Sequence, residues 1–374
     1  MKDSRPKQYR YWEQLKNHLK NDTSVFFNGE ITYPRQLEIH LPGNHKQPCP
    51  LDCLHCAGRY FKKDLGNWEM DALEILNALQ GKVPYHIYGG AFTEPLLNPY
   101  FMTFLATTKR HGNHFGIHTC GVQMSLMEKQ FGFLTELNRI STDDTDYLSI
   151  SLDAGLAESW ALTKKGKKEW FDEIIEGLRT AVKIRNKSKN GHAIRICYLI
   201  FEGNETLEDI ESIVKIARKL QVDSLRFSIP FGSYNQNFDE IRKYKAEKEL
   251  PYSVKFEKML LPYLSKSTNE KPYIFYTEPE FTDIDKFDFE ECIYCYYQLT
   301  FGADGYYYRC SATATPTMNM CRLGKINNNF EHFNDMILNN LDKSWKASTC
   351  FKNKARCNRM GLEINIAYRE LKNK

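Results

Sequence analysis

The sequence predicts an α/β fold: parallel strands joined by crossover helices, then a small cysteine-bearing C-terminal domain. Three observations predict it. Between residues 34 and 230, short apolar runs of strand length alternate about six times with helical stripes. Nine of the 11 cysteines fall in two groups, at 49–56 and 292–357, at either end of that region. The chain has 374 residues, 42% of them hydrophobic, enough for one large or two medium domains.

The strands are read in order from "QLEIHL" around 37–41, "YHIY" at 85–88, "FGIHT" at 115–119, "YLSISL" at 147–152, "IRICYLIF" at 194–201 and "LRFSI" at 225–229. Helices fall between them. Asn67 reads as an N-cap ahead of Met70, Leu73, Leu76 and Leu79 at helical spacing. Phe171, Ile174, Ile175, Leu178 and Val182 make a second stripe. Thr206 with Asp209 resembles a capping box before Ile210, Ile213, Val214 and Ala217. Periodicity fits both a partial or full β/α barrel and an open doubly wound sheet. Both gather chemistry at the C-terminal ends of the strands. The first cysteine group lies just past the first strand, in a loop opened by Pro42-Gly43.

The pattern loosens from about 231 to 285, where a boundary is expected. The division is an N-terminal helical extension at 1–33, a core at 34–240, linker helices at 241–285 and the C-terminal domain at 286–374. The sequence has no apolar run of the ~20 residues a membrane helix needs. Its N-terminus is too polar for a secretory signal. Net charge is +4 with basic and acidic residues interleaved, so neither nucleic acid nor a membrane surface is expected as partner. A cytoplasmic chain meets a reducing environment, and cysteines there read as metal ligands rather than disulfides.

Cys49-x3-Cys53-x2-Cys56 is the sharpest motif. Three thiolates from one loop can hold three irons of a [4Fe–4S] cluster and leave the fourth open. Zinc, with His45 or His55 as a fourth ligand, is the alternative reading, and three unrelated buried thiols the plainest one.

"CPLDCLHC" resembles the signature loop of the radical S-adenosylmethionine (SAM) enzymes. The resemblance implies a partial (β/α)6 TIM-like barrel of the radical SAM type, with SAM bound at the open iron through its amine and carboxylate. Further matches follow. "YGGAFTEPLLNP" (88–99) resembles the segment that binds the methionyl amine, with Gly89, Gly90, Glu94 and Pro95 in its roles and three extra residues after Gly90. His55 stands where an aromatic residue packs near the adenine. "ISLDA" (150–154) resembles the strand whose serine and aspartate approach SAM, here Ser151 and Asp153, expected on one face of a strand. Lys164 or Lys165 follows where a basic residue pairs with the SAM carboxylate, and Lys165 is the assigned one. A solvated charge run is the plain alternative. Cys120 and Cys197 read as structural thiols.

"CIYCYYQLTFGADGYYYRC" (292–310) resembles the opening of the SPASM and twitch extensions of radical SAM enzymes. A full SPASM module needs seven cysteines, and this region has six, so the resemblance implies a twitch/SPASM-like domain with one auxiliary [4Fe–4S] cluster. Cys292, Cys295 and Cys310 are its expected ligands. Cys357 is the first choice for the fourth, and Cys350 the second. Whichever of Cys357 and Cys350 is spare could donate a hydrogen atom to a product radical.

Together these imply hydrogen abstraction from a C–H bond, of a ribosomally made peptide or else of a sugar, amino sugar or nucleoside. A flavodoxin- or ferredoxin-type electron donor is expected. Only 48 residues precede Cys49, so a peptide-recognition element would be expected on a separate protein. The rival from another class is a non-catalytic zinc or iron–sulfur protein.

Overall fold

The computed structural model describes residues 33–44, 48–56, 65, 67–90, 93–188, 191–229, 250–267, 269–277, 292–314, 321–340, 350 and 359–372. The expected N-terminal extension lies outside them, save its last residue. So do residues 241–249 of the segment read as linker helices, and Cys357.

Strands β1 (Gln36–Ile39), β2 (Tyr85–Tyr88), β3 (His114–Thr119), β4 (Tyr147–Ser151), β5 (Ala193–Leu199), β6 (Ser224–Ser228) and β7 (Tyr273–Thr277) lie side by side in chain order, every neighbour parallel. An order with no reversal has no switch point. It belongs to a β/α barrel wall rather than a doubly wound sheet. The wall stays open. On the free side of β1 lies β8 (Gln298–Phe301), also parallel, then the antiparallel strands β9 (Tyr306–Tyr308) and β10 (Arg322–Lys325).

Two expectations change here. The segment read as linker helices contains β7, which extends the parallel wall by a seventh strand. Its run "YIFYT" is short and apolar like the other strands, but its position after a polar stretch hid it. The C-terminal domain is also joined to the core, because β8 pairs with β1 from Gln36↔Gln298 to Ile39↔Phe301.

The crossovers are helical. They include α1 (Glu69–Leu79), α2 (Phe101–Arg110), α3 (Met124–Phe131), α4 (Phe133–Ile140), α5 (Ala157–Lys164), α6 (Glu169–Arg185) and α7 (Leu207–Leu220). Then come α8 (Leu250–Leu260), the short α9 (Tyr294–Tyr297), α10 (Phe330–Asn340) and α11 (Arg359–Lys372). Trp68 rather than Asn67 precedes α1, and Met70 is 54% exposed, while Leu73, Leu76 and Leu79 are buried. The apolar stripes of α6 and α7 are buried as their spacing requires, save Ile175, which is half-buried. Among the described residues no helix is long and apolar enough to cross a membrane.

The two faces of the wall differ. Alternate residues such as Leu37, Ile39, Ile117, Leu148, Ile150, Ile196, Leu225 and Phe227 join the core shared with the helices. Their neighbours in sequence, Glu38, His40, His118, Tyr147, Ser149, Arg195, Cys197 and Arg226, take the opposite, inner face. That inner face is polar although largely closed to solvent. Such a lining suits a site rather than a packed barrel centre.

Candidate active site

The cysteine loop sits at the C-terminal end of β1 and is tied down on two sides. On one side the Pro48 carbonyl accepts the Gly43 N–H at 2.8 Å and the Glu94 N–H at 2.9 Å. The first cysteine is thereby joined to the segment after β2. On the other side Asp52 and Leu54 donate backbone N–H groups to the carbonyls of Lys164 and Thr163, at 3.3 and 3.0 Å. The loop therefore caps the C-terminal end of α5, whose last carbonyls have no partner within the helix. A turn closes Cys56 N–H on the Cys53 carbonyl at 3.1 Å.

The three thiols are half-buried, and their charges act on one another. Burial first, then Glu94, pushes the Cys49 thiol far up. Burial pushes Cys53 up to about 11 although Lys164 opposes it. Among the described residues no three His, Cys, Asp or Glu side chains are already gathered as a metal site. The donor set is nonetheless that of an iron–sulfur loop: three sulfurs, one adjacent lysine cation and no fourth thiol in the loop.

Glu94 is buried at the end of the β2 crossover and links three elements. Its Oε1 accepts the Thr119 hydroxyl at 2.5 Å and the Leu96 N–H at 3.2 Å, and its Oε2 accepts the Cys120 N–H at 2.8 Å. Burial raises its pKa, and these donors work the other way. Thr119, at the end of β3, was not singled out from sequence. Gly89 has a φ of +139°, open to glycine, and Gly90 packs its Cα against the His40 ring.

Ser151 and Asp153 do not share a strand face. β4 ends at Ser151, and Asp153 lies beyond it with a φ of +52°. That turn swings the Asp153 carboxylate toward the loop. Its Oδ2 pairs with Lys164 Nζ and lies 3.9 Å from His55 Nε2, and its Oδ1 accepts the Leu199 N–H at 2.7 Å. Of the two lysines the sequence offered, with Lys165 assigned, it is Lys164 that turns toward the loop. Lys165 ends α5 with a φ of +55° and an exposed side chain, while Lys164 turns inward and is 2% exposed. Burial works against the Lys164 charge, but Asp153 and Cys53 outweigh it and its pKa rises. His55 packs on Phe201 with ring centres 4.5 Å apart, and burial pushes it down to about 4, so it is neutral near pH 7.

Cys197 lies on the inner face, 3.2 Å from Ser149 Oγ and in register with Arg226. Arg226 and Ser228 lie within β6. The Arg195 guanidinium stacks on Tyr147 at 3.8 Å, and Tyr147 OH meets His118 Nε2 at 2.9 Å.

In the C-terminal domain Cys292, Cys295 and Cys310 belong to one buried cluster. The Cys295 thiol donates to the Cys292 carbonyl at 2.8 Å and the Asn365 amide to the Cys292 sulfur at 3.7 Å, and Cys295 first, with Asn365 adding, lowers the Cys292 pKa. Burial raises Cys310 to about 12, with Cys350 and Cys292 adding to it. Cys350 packs against Tyr308, Ala314 and Cys321. Cys321 is fully buried with Tyr308 and Ala314.

A three-cysteine loop after the first barrel strand, bonded to a buried glutamate after the second, is joined by a sequence match. Residues 44–210 match the radical SAM superfamily. Residues 44–210 are a radical SAM domain. No curated protein matches it. Among solved structures, Streptococcus suis SuiB bound to precursor peptide SuiA is similar, with a TM-score of 0.54 and 14% identity over 80% of this chain and 65% of that chain. SuiB from the same organism bound to S-adenosylmethionine gives a TM-score of 0.50 and 14% identity over 80% of this chain and 66% of that one. The chain thus spans just under two thirds of the SuiB chain, and identity at this level speaks for the fold alone.

Proposed function

We propose that this protein is a radical SAM enzyme that abstracts hydrogen from a C–H bond, with a peptide as substrate. The observation that carries the reading is the joint fixing of the Cys49–Cys56 loop by Glu94 on one side and by Lys164 on the other. Cys49, Cys53 and Cys56 would hold a [4Fe–4S] cluster. Reduced and bound to SAM, such a cluster supplies the 5′-deoxyadenosyl radical, which no side chain can replace. The chain's own residues bind and shield. Gly89, Gly90 and Glu94 would receive the methionyl group, Lys164 would offer its ammonium to a carboxylate, and neutral His55 would offer a flat surface to the adenine. The closed inner face keeps water from the reacting atoms.

The peptide reading is supported by the likeness to SuiB, whose structure carries a precursor peptide. A small molecule such as a sugar or nucleoside is the alternative. The second cysteine group supports an auxiliary [4Fe–4S] cluster on Cys292, Cys295 and Cys310, with Cys357 or else Cys350 as fourth ligand. With four cysteine ligands, that cluster would pass an electron rather than bind substrate. A flavodoxin- or ferredoxin-type protein would deliver the first electron, and a separate protein could present the peptide.

Anaerobic reconstitution tests this. Two clusters give about eight irons per chain, and dithionite with SAM gives 5′-deoxyadenosine. Zinc in place of iron, with no SAM cleavage, overturns the proposal. A mass change in a peptide co-expressed with the enzyme, absent when Cys49 is replaced, identifies the substrate class.

A further inference from the structure

Asn365 is a polar residue on the buried face of α11. It stands beside Ile364 and Tyr368, which pack on the residues from Ile293 to Tyr297. Asn365 itself is 1% exposed. A buried amide is costly unless its groups are bonded, and here they are. Its Oδ1 accepts the Ile293 N–H at 2.7 Å and the Tyr294 N–H at 3.4 Å. Its Nδ2 donates to the Gly361 carbonyl at 2.8 Å and to the Cys292 sulfur at 3.7 Å.

These partners fix which way the amide points. Backbone N–H groups cannot accept, so the side-chain oxygen must face Ile293 and Tyr294. The NH2 group is then left on the side of Gly361 and Cys292. One of its two hydrogens goes to the Gly361 carbonyl, and the other has the Cys292 sulfur as acceptor. Holding the backbone after Cys292 needs only the oxygen. The contact with sulfur goes beyond that need.

Cys292, Cys295 and Cys310 share one buried cluster and form the donor set of the proposed auxiliary [4Fe–4S] site. A ligand thiolate has no hydrogen to give and only accepts, so an amide donor at Cys292 suits it as a ligand. Reduction adds negative charge to the sulfurs of such a cluster. An N–H donor stabilises that added charge, so a hydrogen bond to a ligand sulfur raises the potential. We propose that Asn365 sets the reduction potential of the auxiliary cluster through the Cys292 sulfur, raising it so that the oxidised cluster takes up one electron more readily. This rests on the auxiliary-cluster reading of the second cysteine group. Asn365 lies 73 residues along the chain from Cys292, so cysteine spacing alone does not reveal it.

The test is a redox titration followed by EPR on the full-length, anaerobically reconstituted protein, with and without SAM. The first cluster is recognised by a signal that changes with SAM, and the auxiliary one by a signal that does not. In Asn365→Leu and Asn365→Asp the auxiliary potential is expected to shift to more negative values. The ratio of reduced to oxidised auxiliary cluster at a fixed potential then falls about tenfold, as for one hydrogen bond to a charged group. The first cluster is expected to keep its wild-type potential in the same samples. Asn365→Asp keeps the acceptor for the Ile293 N–H and stands in should Asn365→Leu fail to fold. A wild-type auxiliary potential in a variant that holds its second cluster overturns the role of Asn365, as does an equal shift of both clusters. Loss of the second cluster in both variants makes Asn365 an anchor of the loop and overturns it too. A wild type with about four irons per chain, all in the SAM-responsive cluster, overturns the auxiliary-cluster reading itself, which separates the two failures.

Discussion

Lys164 and Asp153 form an ion pair in which each side chain is 3% exposed, at the point where the cysteine loop meets the end of α5. A buried charge whose partner is removed costs about 3 kcal/mol. Lys164→Met is expected to lower the unfolding free energy by about that much and to weaken SAM binding. Lys165→Met, at an exposed position, is expected to stay within about 0.5 kcal/mol of wild type. Urea unfolding and SAM binding on both variants check it. Equal effects would contradict the assignment.

Thr119 and Glu94 join the ends of β3 and of the β2 crossover. Thr119→Val keeps the shape and removes the hydroxyl that donates at 2.5 Å. A loss of about 1.5 kcal/mol in stability is expected. The same variant should weaken SAM binding, because Glu94 would be free to move from the methionyl segment. Thermal unfolding and a SAM titration measure the two effects.

Asp209 does two things that a capping box does not require. Thr206 accepts the Asp209 N–H at 3.2 Å, as the motif predicts. The Asp209 carboxylate, however, turns to the Gly155 and Leu156 N–H groups after β4 instead of returning to its own helix. Asp209→Ala is therefore expected to cost about 2 kcal/mol, more than a single lost cap. Denaturant titration distinguishes the two sizes.

Acid should destabilise the fold above the range where carboxylates titrate. Burial pushes His86 down to about 3 and His118 and His192 down to about 4. In the unfolded chain each takes a proton near pH 6.5. The unfolded state thus binds more protons between about pH 6.5 and 4. Stability is complete above that window and falls through it by about 1 kcal/mol per pH unit for each histidine. Melting temperature against pH checks this, and His192→Asn should make the slope shallower by about one proton.

Much of the fold was legible because apolar alternation and helical stripes report burial directly. β2 was read with its observed ends, and β3 to β6 within two residues. β7 was not, because its five residues follow a polar stretch with no stripe to frame them. The pairing of β8 with β1 joins residues over 250 positions apart, which no local pattern encodes. In the site, cysteine spacing is local and was readable. Which of two adjacent lysines turns inward was not, since it depends on a left-handed residue at the end of α5. Glu38 and His40 were visible as polar alternates within "QLEIHL", and the sequence reading passed over them.

The measurement that tests the central claim most directly is Mössbauer spectroscopy of the 57Fe-reconstituted protein, with and without SAM, after replacing Cys292, Cys295 and Cys310 by alanine to leave the first loop alone. The expected result is about four irons per chain, with one iron changing its signal when SAM is added, and no iron once Cys49, Cys53 and Cys56 are also replaced. A cluster whose irons all ignore SAM, or a loop that takes up only a zinc ion, would contradict it.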